Sequence, residues 1–201
     1  MDLNRLDQQI RFVLELDKLK YVLRQNYLIG QDRQENTAEH CWHLAIMALL
    51  LAEYADSKIN LGRVLELILI HDLVEIYAGD TYCYDEDQTV DQEEREAQAA
   101  DRLFALLPMD QSTRLHELRN EFEEGSSMEA RFAASLDRLL PLLMNHYSQG
   151  RLWKEHAITA DQVLTRNRHI QAGSQSLWSF AQSIIEDSIS KGYLTVKSDH
   201  D

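Results

Sequence analysis

Residues 67–75 read Leu67-Ile68-Leu69-Ile70-His71-Asp72-Leu73-Val74-Glu75, an imidazole and a carboxylate side by side in an apolar run. Val64, Leu67 and Ile68 precede the pair at helical spacing, so a helix is expected through it. Adjacent residues on a helix point about 100° apart. His71 and Asp72 can therefore share one partner only if it lies at the edge between their two directions. Burying both among apolar side chains is costly unless something compensates them. A divalent cation is the simplest compensation, and it needs more ligands than two. The plain alternative is a buried histidine hydrogen-bonded to a carbonyl, and an HD dipeptide is common by chance.

Further candidates lie on either side of this stretch. Asn36 and Glu39 have capping-box spacing, which predicts a helix through His40, Leu44, Met47, Leu51 and Tyr54. The helix carrying the HD pair is expected to begin near Asn60 and to end near Gly79. Towards the N-terminus, Leu3, Leu6, Ile10, Val13, Leu14, Leu16, Leu19 and Leu23 predict a first helix ending before Gly30. The acidic and aromatic segment Asp80–Asp91, with Tyr82 and Tyr84, reads as a loop. Helices are expected from about Val90 to Leu107, where Pro108 stops the run, and from about Asp110 to Phe122. Ser126 with Glu129 offers a second capping box, opening a helix through Phe132, Leu136, Asp137 and Leu139. Pro141 lacks an N–H, so the Asp137 carbonyl loses its helical partner and a kink is expected there. Thr159 with Gln162 offers a third box, and a long last helix reaches Ile189, with Gly192 suited to end it. No segment alternates strictly enough to read as a strand. The fold class expected is all-α, one domain over residues 1–201.

Composition narrows the function. The chain has 201 residues, 44% hydrophobic and 27% charged, an ordinary balance for a chain with a core. No apolar run reaches the roughly 18 residues that span a bilayer, and the first residues show no signal peptide, so a cytoplasmic protein without a membrane partner is expected. Cys41 and Cys83 form no zinc or redox pattern and read as free thiols. The formal charge of −14 argues against DNA or RNA polymers as partners. A small anion is still admissible, because a metal and an arginine can reverse the field locally.

Four runs together resemble the HD-domain superfamily: Glu35-Asn36-Thr37-Ala38-Glu39-His40, Ile70-His71-Asp72-Leu73-Val74-Glu75, Gly79-Asp80-Thr81, and Phe132 to Leu139 around Asp137. The subgroup they most resemble holds bacterial 5'-deoxynucleotidases and proteins of the HD-domain-containing protein 2 type, over roughly residues 15 to 165. The resemblance implies an orthogonal helical bundle, with His40, His71, Asp72 and Asp137 ligating one divalent metal. It implies catalytic work for Glu75 and a place near substrate for Asp80. Glu75 also stands four residues after His71, which puts the two on one face of a continuous helix. The family's arginine and aromatic pair matches Arg24 and Tyr27 in Leu23-Arg24-Gln25-Asn26-Tyr27, although its proline, glycine and tryptophan are absent. Lys20 is a further phosphate candidate, with a solvated helix charge as its alternative. Homodimers are common among such proteins, and one is expected for this chain.

Mixed histidine and carboxylate ligation suits Mn, Co, Fe, Ni or Zn, with Mg admissible. The expected activity is phosphate release from a small nucleotide, a 5'-deoxynucleoside monophosphate first. The alternatives are another nucleotide phosphodiesterase or triphosphohydrolase, a nucleotide-binding regulator without turnover, and a structural helical module. Of the other histidines, His43, His116, His146, His156 and His169 read as structural or surface residues.

Overall fold

The N-terminal apolar repeat is helical only as far as Glu15. Helix α1 (Leu3–Glu15) passes into a 3₁₀ turn (Leu16–Tyr21), and Val22 is already extended, with φ −79° and ψ 113°. Two strands follow, β1 (Leu23–Tyr27) and β2 (Gln34–Asn36), paired antiparallel with Leu23 opposite Asn36 and Tyr27 opposite Gln34. This corrects the expectation of one helix to Gly30 and of no strand. Leu23 completed the leucine spacing, yet it is 55% exposed and marks no buried helix face. Gly30, at φ 73°, turns the chain back, a conformation open to glycine at little cost. These elements belong to a computed structural model that describes residues 3–84 and 91–196.

Helix α2 (Thr37–Leu51) opens with the expected capping box between Asn36 and Glu39. Arg33 also clamps the Glu39 carboxylate, at 2.7 and 2.8 Å. Helix α3 (Leu61–Ile70) starts at Asn60, whose side chain accepts from the Arg63 amide. At His71 the winding tightens into a 3₁₀ turn (His71–Val74) before α4 (Glu75–Ala78) resumes. The continuous helix expected through the HD pair is thus corrected. Gly79 ends α4 at φ 78° and redirects the chain toward Asp80.

Helix α5 (Gln92–Phe104) and helix α6 (Met109–Glu124) flank Pro108 as predicted; the expected start at Val90 lies outside the described residues. Helix α7 (Met128–Tyr147) is capped by Ser127, not Ser126. Glu129 closes no box; its carboxylate instead accepts from the Asn60 amide at 2.8 Å, tying the start of α3 to that of α7. Pro141 lies inside α7, which runs through it without a break. Two short helices, α8 (Arg151–Glu155) and α9 (Ala160–Asn167), precede the last, α10 (Gln175–Ser190). The Thr159–Gln162 box caps α9 as expected.

The main core is built around α7. Phe132, Leu136, Leu139 and Leu140 are at most 2% exposed, and they share one cluster with Leu44, Leu67, Ile68, Val163 and Ala181. Full burial of such a side chain contributes about 1.5–3 kcal/mol. A smaller cluster gathers Phe12, Leu19, Leu73, Val74, Leu103 and Phe104. The HD pair lies between them: Leu67 and Ile68 before it belong to the first cluster, Leu73 and Val74 after it to the second. Among the described residues the fold is all-α apart from the two-stranded hairpin and a single parallel bridge between Thr159 and Thr195. Among the described residues no helix is long and apolar enough to cross a membrane.

Gly173 marks where α10 is brought against α7. A Cβ there would lie 2.5 Å from the Arg131 carbonyl oxygen and 2.5 Å from Ser135 Oγ. Gly173→Ala is expected to cost about 1–3 kcal/mol, read as a lower urea midpoint at unchanged slope.

Candidate functional site

Three elements deliver ligand-type atoms to one place. His40 comes from the first turn of α2, His71 and Asp72 from the 3₁₀ turn, and Asp137 from the middle of α7. His40 Nε2 is 2.9 Å from Asp137 Oδ1 and 3.9 Å from Asp72 Oδ2. His71 Nε2 is 3.1 Å from Asp72 Oδ2 and 3.7 Å from Asp137 Oδ1. One ligand atom from each of the four residues lies within 4.8 Å of the others. Metal bonds of about 2.0–2.2 Å put neighbouring ligand atoms roughly 3.0–3.5 Å apart, so these separations fit one shared ion.

The rings are oriented for that purpose. His71 Nδ1 donates to the Ile68 carbonyl at 2.8 Å, which turns its Nε2 toward the carboxylates. That Nε2 is buried and has no hydrogen-bond partner. His40 is fully buried, and its Nδ1 lies 3.3 Å from Oε2 of Glu35, itself only 1% exposed. A carboxylate behind a histidine is a common way to fix ring and tautomer at a metal. Glu35 was visible only as the first letter of a resembling run; nothing in its spacing announced this contact, which depends on β2 pairing with β1.

Three carboxyl groups converge here on one guanidinium. Arg24 Nη1 reaches Asp72 at 2.8 Å, Glu75 at 3.4 Å and Asp80 at 3.6 Å. Arg24 extends from strand β1, not from the helix end expected of it. Burial works against its charge, but Asp72, Glu75 and Asp80 outweigh burial and keep it protonated. Burial would raise the Asp72 carboxyl too, yet His71 and Arg24 hold it down at about 2. Burial and then Asp72 push Glu75 well above the usual carboxylate range. Burial also raises Asp80, against the pull of Arg24. His71 binds its proton well above the ordinary histidine range, because Asp72 and Asp137 outweigh the cost of burial. A divalent cation among these four side chains would feel the same pull.

Glu75 accepts from the Thr37 hydroxyl at 2.7 Å. The expectation that it shares a continuous helix face with His71 is replaced by this arrangement: the tight turn re-aims it, and Thr37 and Arg24 hold it. Beside the cluster opens a cleft lined by Arg24, Asp80, Asp137, Tyr82, Tyr84, Arg138 and Arg166 among others. Sequence reading passed over Arg138 and Arg166.

Tyr27 and Lys20 are not brought into the cluster. The Tyr27 ring is covered by the Arg151 guanidinium at 3.7 Å, and Lys20 is exposed and paired with Asp17. His43 packs near Trp42, and His156 lies 4.7 Å from the Tyr82 ring. His146 contacts Ser188 Oγ at 2.8 Å and joins α7 to α10.

The HD domain family model matches residues 16–178. The 5'-deoxynucleotidases HDDC2 of Mus musculus and Homo sapiens are each 32% identical to this chain over 130 residues. The match covers 64% of this chain and 64% and 62% of those proteins, less than two thirds of their length. A solved structure described as a predicted metal-dependent phosphohydrolase from Magnetospirillum magnetotacticum MS-1 is 48% identical. It superimposes with a TM-score of 0.92, covering 96% of each chain. With the family pattern matched from the first 3₁₀ turn into α10, and a near relative sharing the whole fold, this chain belongs to the HD domain family.

Proposed function

We propose that this chain is a metal-dependent phosphohydrolase that releases phosphate from phosphomonoesters, with 5'-deoxynucleoside monophosphates as the leading substrates. The observation that carries the proposal is the convergence of His40, His71, Asp72 and Asp137 within 4.8 Å. The named activity of the HDDC2 relatives supports the substrate class. In this reading the four residues hold one divalent ion, Mn, Co, Fe, Ni or Zn by ligand type, with Mg admissible. When bound, such an ion supplies Lewis acidity toward a phosphoryl oxygen and eases deprotonation of water.

The chain's own groups do the rest. Glu75, held by Thr37 and Arg24, orients the attacking water and takes its proton onto a carboxylate oxygen. Burial and Asp72 raise its pKa, which makes it a stronger base than an ordinary carboxylate. Asp80 faces the same guanidinium from the cleft side and positions the substrate. Arg24 Nε is buried and without a hydrogen-bond partner, so it has a donor left for a phosphoryl oxygen.

A homodimer belongs to the same reading. Helix α2 is apolar on all sides, a pattern typical of a helix covered all round. Yet Trp42 and Leu50 are 64% and 68% exposed, and Ile46 and Leu49 lie exposed on the same side. The free thiols Cys41 and Cys83 fit a reducing, cytoplasmic setting.

Two variants separate holding the metal from turning over substrate. Asp72→Ala is expected to lose bound metal, measured by elemental analysis after dialysis, together with phosphate release. Glu75→Gln is expected to retain the metal while kcat falls by about 10²–10⁴. Full activity in Asp72→Ala would defeat the proposal. The screen runs over mono-, di-, cyclic and triphosphates, with monophosphates expected to turn over best. Light scattering should give twice the chain mass for the native protein and a shift toward one chain mass for Leu50→Glu; a native monomer at micromolar concentration removes the dimer.

A further inference from the structure

Arginines in this acidic chain are generally met by acids. Arg24 faces Asp72, Arg63 faces Glu121, Arg119 faces Glu96 at 3.1 Å, and Arg151 faces Asp32 at 2.9 Å. Among the described residues Arg102, Arg131, Arg138, Arg166 and Arg168 are not so paired, and of these five Arg138 and Arg166 line the cleft beside the cluster. Among the described residues neither lies within ion-pair distance of a carboxylate, although the chain holds 34 acidic residues against 20 basic ones. Arg138 follows Asp137 on α7 and is mostly enclosed; Arg166 sits on α9, and both line the cleft beside the cluster. The two are close enough to repel, and the one hydrogen bond of the Arg138 guanidinium is a 3.5 Å contact to the Arg166 carbonyl oxygen.

Enclosing a cation beside another cation is unfavourable unless an anion completes the arrangement. The same cleft holds further unmet donors. Arg138 Nε, Tyr82 Oη and Arg24 Nε are all buried without a hydrogen-bond partner. Buried polar groups are normally satisfied, and several unsatisfied donors around one opening point to a ligand that satisfies them together. Arg24 borders the metal cluster, so the opening spans from that cluster to the arginine pair.

We propose that Arg138 and Arg166, with the Tyr82 hydroxyl, form an anion subsite that takes a second oxyanion group of the ligand, a phosphate or a carboxylate. A ligand that carries a second anionic group beside its phosphoryl group is then held more tightly than the same ligand without it. This rests on the proposed phosphoryl chemistry for the placement of the first group, but not for the existence of the subsite.

The test is calorimetric binding to the full chain carrying Glu75→Gln, so that turnover does not consume the ligand, in buffer with Mn(II). Adenosine 3',5'-bisphosphate is compared with adenosine 5'-monophosphate, and 3-phosphoglycerate with glycerol 3-phosphate. The second oxyanion is expected to tighten binding by about tenfold or more in at least one pair, the scale of a charge-assisted contact. The pair that gains identifies phosphate or carboxylate as the group. Adding Arg166→Gln or Arg138→Gln is expected to abolish that gain; Arg166 is exposed on a short surface helix, so its variant folds even if the Arg138 variant does not. Equal affinities within both pairs, or a gain that survives Arg166→Gln, overturn the subsite. A native chain that releases no phosphate but keeps the arginine-dependent gain defeats the phosphohydrolase reading alone.

Discussion

The structure depends on a concentration of buried negative charge. Asp72, Glu75, Asp80 and Asp137 are drawn toward one point; Arg24 reaches the first three, and Arg138 stands beside Asp137. Hydrophobic burial alone would not place four carboxyl groups there, because each gives up water in doing so. The arrangement is consistent only if positive charge is shared among them, by Arg24, by a proton on His71, or by a metal ion. The opposed directions of the shifts follow from this. Asp72, beside His71 and Arg24, is held ionised, whereas Glu75, next to Asp72, is pushed toward its neutral form. One neighbourhood thus holds one carboxylate ionised and drives another toward its neutral form.

The scaffold meets this demand with helix ends and a change of winding. His40 is placed by the Asn36 cap, and the start of α3 is tied to α7 through Glu129 and the Asn60 amide. Between them the chain tightens for one turn at His71. In an α-helix neighbouring side chains diverge by about 100°, in a 3₁₀ turn by about 120°. The tighter turn therefore does not by itself bring His71 and Asp72 together; it re-aims Glu75 toward Thr37 and Arg24. That local departure is held in place because Leu67 and Ile68 are packed into one core and Leu73 and Val74 into another.

Much of this was legible before any coordinates. The caps at Asn36 and Thr159, the stop at Pro108 and the helix carrying Asp137 follow from residue chemistry acting over three or four positions. The hairpin was not legible, because Leu16, Leu19 and Leu23 continue a helical spacing into a segment whose fate is set by partners far along the chain. Asn26 in β1, for example, accepts from Asn145 Nδ2 at 3.0 Å across 119 residues. The shift of the α7 cap from Ser126 to Ser127 has the same origin: Glu129 has a better partner in α3 than in its own first turn.

The amino-acid sequence by itself determined the helical class, the capped starts at Asn36 and Thr159 and the residue types able to hold a cation, since these rest on propensity, capping and spacing. The tertiary structure alone decided which atoms meet: that Arg24 arrives on a strand, that Glu35 stands behind His40, that Tyr27 and Lys20 stay away, and that Arg138 and Arg166 line one cleft with no carboxylate at ion-pair distance from either. Local rules act over a helical turn or two. The distances between charges on separate elements come only from packing those elements around a common core.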